Sequence, residues 1–319
     1  MLFATPITTA YALLVTFLLG LVMGSFLNCL AWRLTHGESV LRGRSHCATC
    51  GHVLAARDLV PVASWLLSRG RCRYCGERIS VRYPVTELVC AVAYVTIVVR
   101  YGLTLEALEM LAFASILLVL SLTDIDEYVI PNACIVLAVI VRVAYVLCAG
   151  SLGLLPSGVT TSGVLVSSFV SALAVGAALV VVALVMDRVL GRESVGGGDV
   201  KLLAVAALYF GWQQCLLLII VACVIGIAFG ASQARPAAEG EGPSPAPSGS
   251  EPGEAAAGRG DSEEGDADAN ADADAGTETG TDADIDSHAF PWGPSIALAC
   301  WFCMLFGRQI IDWYLGLFL

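Results

Sequence analysis

The sequence predicts an all-α, polytopic membrane bundle of about eight spans with one small cytoplasmic metal-binding loop. Three observations lead there. Of the 319 residues 57% are apolar, and mean hydropathy is +0.78. Apolar runs of bilayer-crossing length, about 18 residues or more, recur along the chain. Most of the ionisable residues collect outside those runs, in a basic stretch at 33–83 and an acidic one at 232–290.

Taken in order, the spans are expected near 9–31, 84–100, 105–123, 131–149, 163–187, 200–213, 214–232 and 293–317. The opening Met-Leu-Phe-Ala-Thr-Pro has no basic region, and the first run is longer than a signal-peptide core, so it reads as an uncleaved helix. Within it, Gly20-Leu-Val-Met-Gly24-Ser25 sets small residues on one face, where a second helix can approach. The sixth and seventh spans are divided only by Phe210-Gly211-Trp212-Gln213-Gln214. The expected organisation is a first membrane helix (1–32), a cytoplasmic four-cysteine zinc-binding loop domain (33–83), a membrane core (84–231), a disordered acidic insertion (232–290) and a last membrane helix (291–319).

Charge fixes the expected orientation. The net charge of −11 is dominated by 232–290, which holds 15 of the 28 acids and two arginines. Without that stretch the chain carries +2. The 33–83 loop has nine of the 17 Lys and Arg residues against three acids. The positive-inside rule makes this loop cytoplasmic and the N-terminus external, in a multi-pass protein of the cytoplasmic (inner) membrane. Counting crossings onward puts Asp124, Asp199 and the acidic stretch on the cytoplasmic side too. Residues 232–290 are low in complexity and nearly free of large apolar groups, the signature of a solvated linker. Its acids lack the fixed ligand spacing of a calcium loop. Membrane lipid is the expected surrounding, and no nucleic-acid partner is expected.

The loop carries Cys47-Ala-Thr-Cys50-Gly51 and Cys72-Arg-Tyr-Cys75-Gly76, two CxxC pairs with 21 residues between Cys50 and Cys72. Four thiols at this spacing suit a tetrahedral structural zinc, and each following glycine permits the tight turn that aims two sulfurs at one metal. In a reducing compartment they hold metal more naturally than they form disulfides. Zinc would then fold a loop with little apolar core of its own. The other eight cysteines lie in or beside apolar spans and read as small hydrophobes, the CxxC at Cys300 and Cys303 included.

Asp124 ends one apolar segment, in Ser121-Leu-Thr-Asp124-Ile-Asp126, and Asp199 opens another, after Gly196-Gly197-Gly198. Ionisable groups at membrane depth are expensive and mark function by default. Pro131 suits a helix start and makes the Asp124 segment a short reversal between spans. The three glycines leave bare backbone that a substrate strand can approach. Asp199 belongs near a helix N-terminus, where the dipole favours a carboxylate, and Asp124 near a C-terminus, where it does not. Two such carboxyls sharing one proton can activate water and protonate a leaving amine. The competing reading is a pair of interfacial aspartates that cap helices.

Read together, Gly24-Ser25-Phe26-Leu27-Asn28, the two CxxC pairs, Arg82-Tyr83-Pro84-Val85-Thr86-Glu87-Leu88, Asp124 seven residues before Pro131, and Gly196-Gly197-Gly198-Asp199 occur in order. This pattern resembles the type IV prepilin peptidases, membrane aspartyl enzymes with a Gly-x-Gly-Asp site, over nearly the whole chain except 232–290. The resemblance implies removal of the short basic leader of prepilins or pseudopilins, after a glycine, at the cytoplasmic face. It also implies N-methylation of the new N-terminus with S-adenosylmethionine, and service to a type IV pilus or type II secretion system. Asp124 and Asp199 match the catalytic pair, which makes 84–231 the peptidase core and 196–198 a substrate loop. Asp126 is the rival of Asp124, but the spacing to Pro131 favours Asp124. The chemistry is hydrolytic, without a covalent acyl-enzyme. Asn28, Arg82 and Glu87 line a substrate or cofactor site, or else satisfy one another where the loop meets the bilayer. No dinucleotide-type fold for the methyl donor is visible. Cys29 and Ala48 depart from the family pattern away from the proposed chemistry. The rival classes are a non-catalytic zinc-ribbon membrane scaffold and an ion transporter built on the two aspartates.

Overall fold

The computed structural model describes residues 5–39, 43–191, 195–233 and 291–317. The expectation for 232–290 lies outside them, apart from Ser232 and Gln233, which continue a helix. Nine α-helices are formed among the described residues: α1 (Pro6–Thr35), α2 (Ala63–Leu67), α3 (Arg82–Tyr101), α4 (Leu105–Glu127), α5 (Asn132–Ser151), α6 (Thr161–Leu190), α7 (Gly197–Gln233), α8 (Gly293–Phe302) and α9 (Arg308–Gly316). A π-helical turn, Cys303–Gly307, joins α8 to α9. No strand forms among these residues, only the isolated bridges His46 to Val53 and Arg71 to Arg78.

Start signals for three helices are plain hydroxyl caps. The side chains of Thr5, Thr104 and Thr160 accept from the amides of Thr8, Ala107 and Gly163 at 3.2, 3.1 and 3.1 Å. Each satisfies a donor that the first helical turn leaves without a partner. Gly191, left-handed at φ 69°, closes α6. Most helices overrun the apolar segments by two to four residues, because backbone hydrogen bonding continues past the last apolar side chain. Asp124 therefore lies in the last turn of α4, and the reversal shrinks to 128–131.

Seven of the described helices or helix runs are long and apolar enough to cross a membrane, with Gly197–Ala231 counted as one. That stretch is not one rod. Gly211 is non-helical at φ 74°, ψ 169°, and the chain turns back there. The Cys215 thiol lies 3.7 Å from the Leu203 carbonyl oxygen, whereas a straight helix would separate positions twelve apart by about 18 Å. The reversal yields the two segments expected on either side of 210–214, and hence eight apolar segments in all.

Helix α4 is the centre of the bundle: 61% of its apolar stretch is buried, against 11% for α6. The Phe113 ring stacks on Tyr209 of α7 with centroids 3.9 Å apart. Leu120, Leu202, Leu218, Ile296 and Cys300 complete a core shared by α4, α7 and α8. Lipid tails are as apolar as these side chains, so close packing rather than escape from water must hold the helices together. The α1–α3 contact shows how. A Cβ on Gly20 would lie 2.5 Å from the Ala91 Cα, and one on Gly24 would lie 2.7 Å from the Glu87 Cα. The predicted small-residue face is thus a backbone-to-backbone seam. Gly20→Ala should cost about 1–3 kcal/mol of stability through overpacking, seen as a lower thermal midpoint in detergent. Gly230→Ala, with open space around it, should leave the midpoint unchanged or raise it.

Candidate active site

Three helix ends carry the site. The last turn of α4 places Asp124, the first turn of α7 places Asp199, and the first residue of α8 is Gly293. Asp124 is 5% exposed, and its Oδ2 accepts the Gly293 amide at 2.8 Å. Sequence reasoning placed Asp124 against the unfavourable end of its own helix. The structure adds the N-terminus of α8, whose amide and dipole offset that end. Gly293 is required to be glycine, since a Cβ there would stand 2.8 Å from Asp124 Oδ2 and 3.0 Å from its Cγ.

Asp199 is half-buried, and it opens α7 beside Ile130, six residues after Asp124. The glycines before it differ in role. A Cβ on Gly198 would press Ile130 at 3.1 Å, and one on Gly196 would stand 3.2 Å from Asp199 Oδ2. Of the three, Gly197 alone faces open space. Lys201 donates to Asn132 Oδ1 at 3.1 Å and so ties the start of α7 to the start of α5.

Asp126 is engaged elsewhere. The Arg82 guanidinium grips it through both terminal nitrogens, one at 2.8 Å, and its Nη2 also donates to the Leu122 carbonyl at 3.3 Å. This fork holds the end of α4 against the start of α3. Arg82, Asn28 and Glu87 do not satisfy one another. Asn28 bonds the Gly24 carbonyl within its own helix at 3.2 Å. Glu87, 7% exposed, accepts the Val62 amide at 2.7 Å. Val62 is β-branched and sits at φ 58°, a strained conformation that this carboxylate fixes.

The cysteines form two like turns. The amides of Gly51 and Gly76 donate to the carbonyls of Cys47 and Cys72, at 2.8 and 2.9 Å. Both glycines have positive φ, 68° and 76°, the left-handed geometry such a turn needs. Each turn closes as a small hairpin, with the Cys47 amide donating to the His52 carbonyl and that of Cys72 to the Glu77 carbonyl. The four sulfurs lie within 4.8 Å of one another, those of Cys47 and Cys75 at 3.9 Å. Sulfurs bound to one zinc at about 2.3 Å stand about 3.8 Å apart, so the cluster has the right size for a tetrahedral metal. The amides of Cys50 and Thr49 pull the Cys47 thiol down to about 6, the thiolate form that a metal takes. Around it His52 stacks on Tyr74, and Asp58 accepts from the Tyr74 hydroxyl at 2.9 Å and pairs with Arg73 at 3.3 Å.

Two features of the site, Gly293 and the Arg82–Asp126 pair as a unit, were not legible as such. Gly293-Pro294 does carry a helix-start signal, but it says nothing of where that helix docks.

The chain matches the Bacterial Peptidase A24 N-terminal domain over residues 18–101 and the Type IV leader peptidase family over 111–231. It is 32% identical to a prepilin leader peptidase/N-methyltransferase of Myxococcus xanthus, a match covering 67% of this chain and 61% of that protein. It is also 32% identical to the one of Pseudomonas putida, over 69% of this chain and 81% of the relative. For the Bacillus subtilis enzyme the figures are 30%, 68% and 82%. No solved structure matches it. Both halves of the membrane body are covered in order, and the chain belongs to the type IV leader peptidase family.

Proposed function

We propose that Asp124 and Asp199 are the catalytic pair of a membrane endopeptidase that removes the leader of prepilin-like proteins. One observation carries this reading: two helix ends bring Asp124 and Asp199, 75 positions apart in sequence, to the same end of the bundle, where Gly198 packs on Ile130, six residues after Asp124. A water between them loses a proton to the ionised carboxyl as it attacks the scissile carbonyl. The protonated partner then gives its proton to the departing amine. No covalent intermediate forms. The Gly293 amide occupies one oxygen of Asp124 and fixes the plane of that carboxyl, while Gly197 leaves room for the substrate backbone. The basic 33–83 loop supports a cytoplasmic setting for this end of the bundle, where the leader of a prepilin or pseudopilin would arrive.

Zinc in the Cys47, Cys50, Cys72 and Cys75 cluster would be structural, since four protein thiolates leave no open position for chemistry. The methyl donor S-adenosylmethionine supplies an electrophilic methyl group for the exposed amine. A cavity of about 310 Å³ between α1, the loop and the start of α3 supports its placement there. Asn28, Trp32, His46 and Glu87 line it, offering a ring for adenine and a carboxylate for the cationic end.

Intact mass of a co-expressed prepilin-like substrate should show loss of the leader and one added methyl with the wild-type enzyme. Asp124→Asn and Asp199→Asn should each slow cleavage by at least about 10²- to 10⁴-fold, and Asp126→Asn far less. Cleavage by well-inserted Asp124→Asn at the wild-type rate would defeat the assignment. Gly293→Ala should displace the Asp124 carboxyl and lower kcat/KM by about a hundredfold, and overpacking at this buried contact should lower the thermal midpoint as well. Cys47→Ser or Cys75→Ser should lower zinc from about one per chain and depress methylation more than cleavage; unchanged zinc content would refute the metal assignment.

A further inference from the structure

The other end of the bundle holds a second polar site. Glu109 lies 15 positions before Asp124 in α4, about 22 Å along the helix, and is 3% exposed. Arg142 of α5 donates through Nη1 to both its oxygens, at 3.0 and 3.3 Å, and through Nη2 to Ser168 Oγ of α6 at 3.3 Å. Its guanidinium also lies 5.7 Å from the Tyr145 ring centre and 5.6 Å from that of Tyr209. The Arg142 Nε is buried and has no hydrogen-bond partner.

A cavity of about 460 Å³ opens beside this pair, and Arg100, Gln214 and Arg308 reach its wall. The π-helical turn at Cys303–Gly307 forms part of the same wall. Such turns insert an extra residue and cluster at functional sites. The Met304 carbonyl accepts the Tyr101 hydroxyl at 2.7 Å, and the Leu305 carbonyl accepts Arg100 Nε at 3.1 Å. The terminal nitrogens of Arg100 stay unspent in that contact. The Arg308 side chain makes no hydrogen bond or ion pair among the described residues.

A structural ion pair between α4 and α5 explains Glu109 with Arg142. It does not explain why two further guanidinium groups and an unpartnered Nε converge on an open cavity. Three arginines and two carboxylates line it, Glu109 being already taken by Arg142; set against Glu106, the remaining surplus is one positive charge, with guanidinium donors to spare. We propose that this cavity binds the phosphodiester headgroup of an anionic phospholipid, with Arg100, Arg142 Nε and Arg308 as donors. A phosphate diester offers two charged acceptor oxygens, which suit guanidinium donors. Inorganic phosphate shares the charged oxygens but lacks the acyl chains that would lie along the lipid-facing α6.

The test uses full-length protein, delipidated in neutral detergent, with native mass spectra and thermal midpoints read after adding phosphatidylglycerol, phosphatidylcholine or inorganic phosphate. Phosphatidylglycerol should remain as an adduct and raise the midpoint more than phosphatidylcholine. Arg308→Gln should weaken its binding at least about tenfold. Arg142→Gln alone leaves Glu109 unpaired and endangers folding, so the double variant Glu109→Gln/Arg142→Gln supplies the second arm and should also bind at least about tenfold more weakly. Arg188→Gln, in the last turn of α6, should bind as the wild type does. Equal binding by wild type, Arg308→Gln and the double variant would overturn the proposal. A shift from inorganic phosphate equal to that from phosphatidylglycerol would overturn the lipid as occupant.

Discussion

The Gly293 amide meets the Asp124 carboxyl across 169 positions of sequence, and the layout of the bundle is bound up with that contact. It brings the start of α8 to the end of α4. From the end of α4 the chain must then make an even number of passes before α8 begins, which α5, α6 and an unbroken α7 would not supply. The reversal at Gly211 provides the missing pass. The same contact leaves no room for a side chain at Gly293, and it turns the positive end of one helix toward the carboxyl at the negative end of another.

Charges in the membrane-spanning helices are handled in two ways. At the Asp124 end, Arg82 and Asp126 cancel each other and brace α3 against α4, which leaves Asp124 to the α8 amide and to Asp199. At the opposite end, Glu109 and Arg142 cancel while neighbouring guanidinium groups are left over. The first arrangement leaves Asp124 and Asp199 without an ion-pair partner among the described residues. The second leaves Arg100 and Arg308 facing a cavity that Glu106 shares. Both ion pairs follow from the cost of an uncompensated charge away from water.

Features written in local sequence were readable beforehand. Long apolar runs gave the spans, CxxC followed by glycine gave the paired turns, and Pro131 with Asp124 gave a tight reversal. The break at Phe210-Gly211-Trp212-Gln213-Gln214 was visible as well, because glycine is the one residue there without a side chain. What escaped depends on docking between distant helices. Nothing near Gly293 announces its carboxyl partner, and Arg82 stands 44 positions from Asp126. The polar cavity draws on α3, α4, α5, α6, α7, α9 and the π-helical turn, so no window of sequence contains it. Asn28, Arg82 and Glu87 were recognisable as polar residues in a motif, yet their separate partners required the fold.

The Gly211 reversal also sets a length. The first arm of α7 runs from Gly197 to Phe210, so at about 1.5 Å per residue it measures about 21 Å, against a hydrocarbon layer of about 30 Å. An arm this short cannot reach both surfaces of an undistorted bilayer. If its Gly211 end lies level with the far surface, Gly197 sits in a depression about 9 Å below the near one and Asp199 about 12 Å below it, or the bilayer thins to meet them. Either geometry brings water down to the carboxyls without a channel through the protein, and lets a membrane-anchored substrate present a bond that would otherwise lie within lipid.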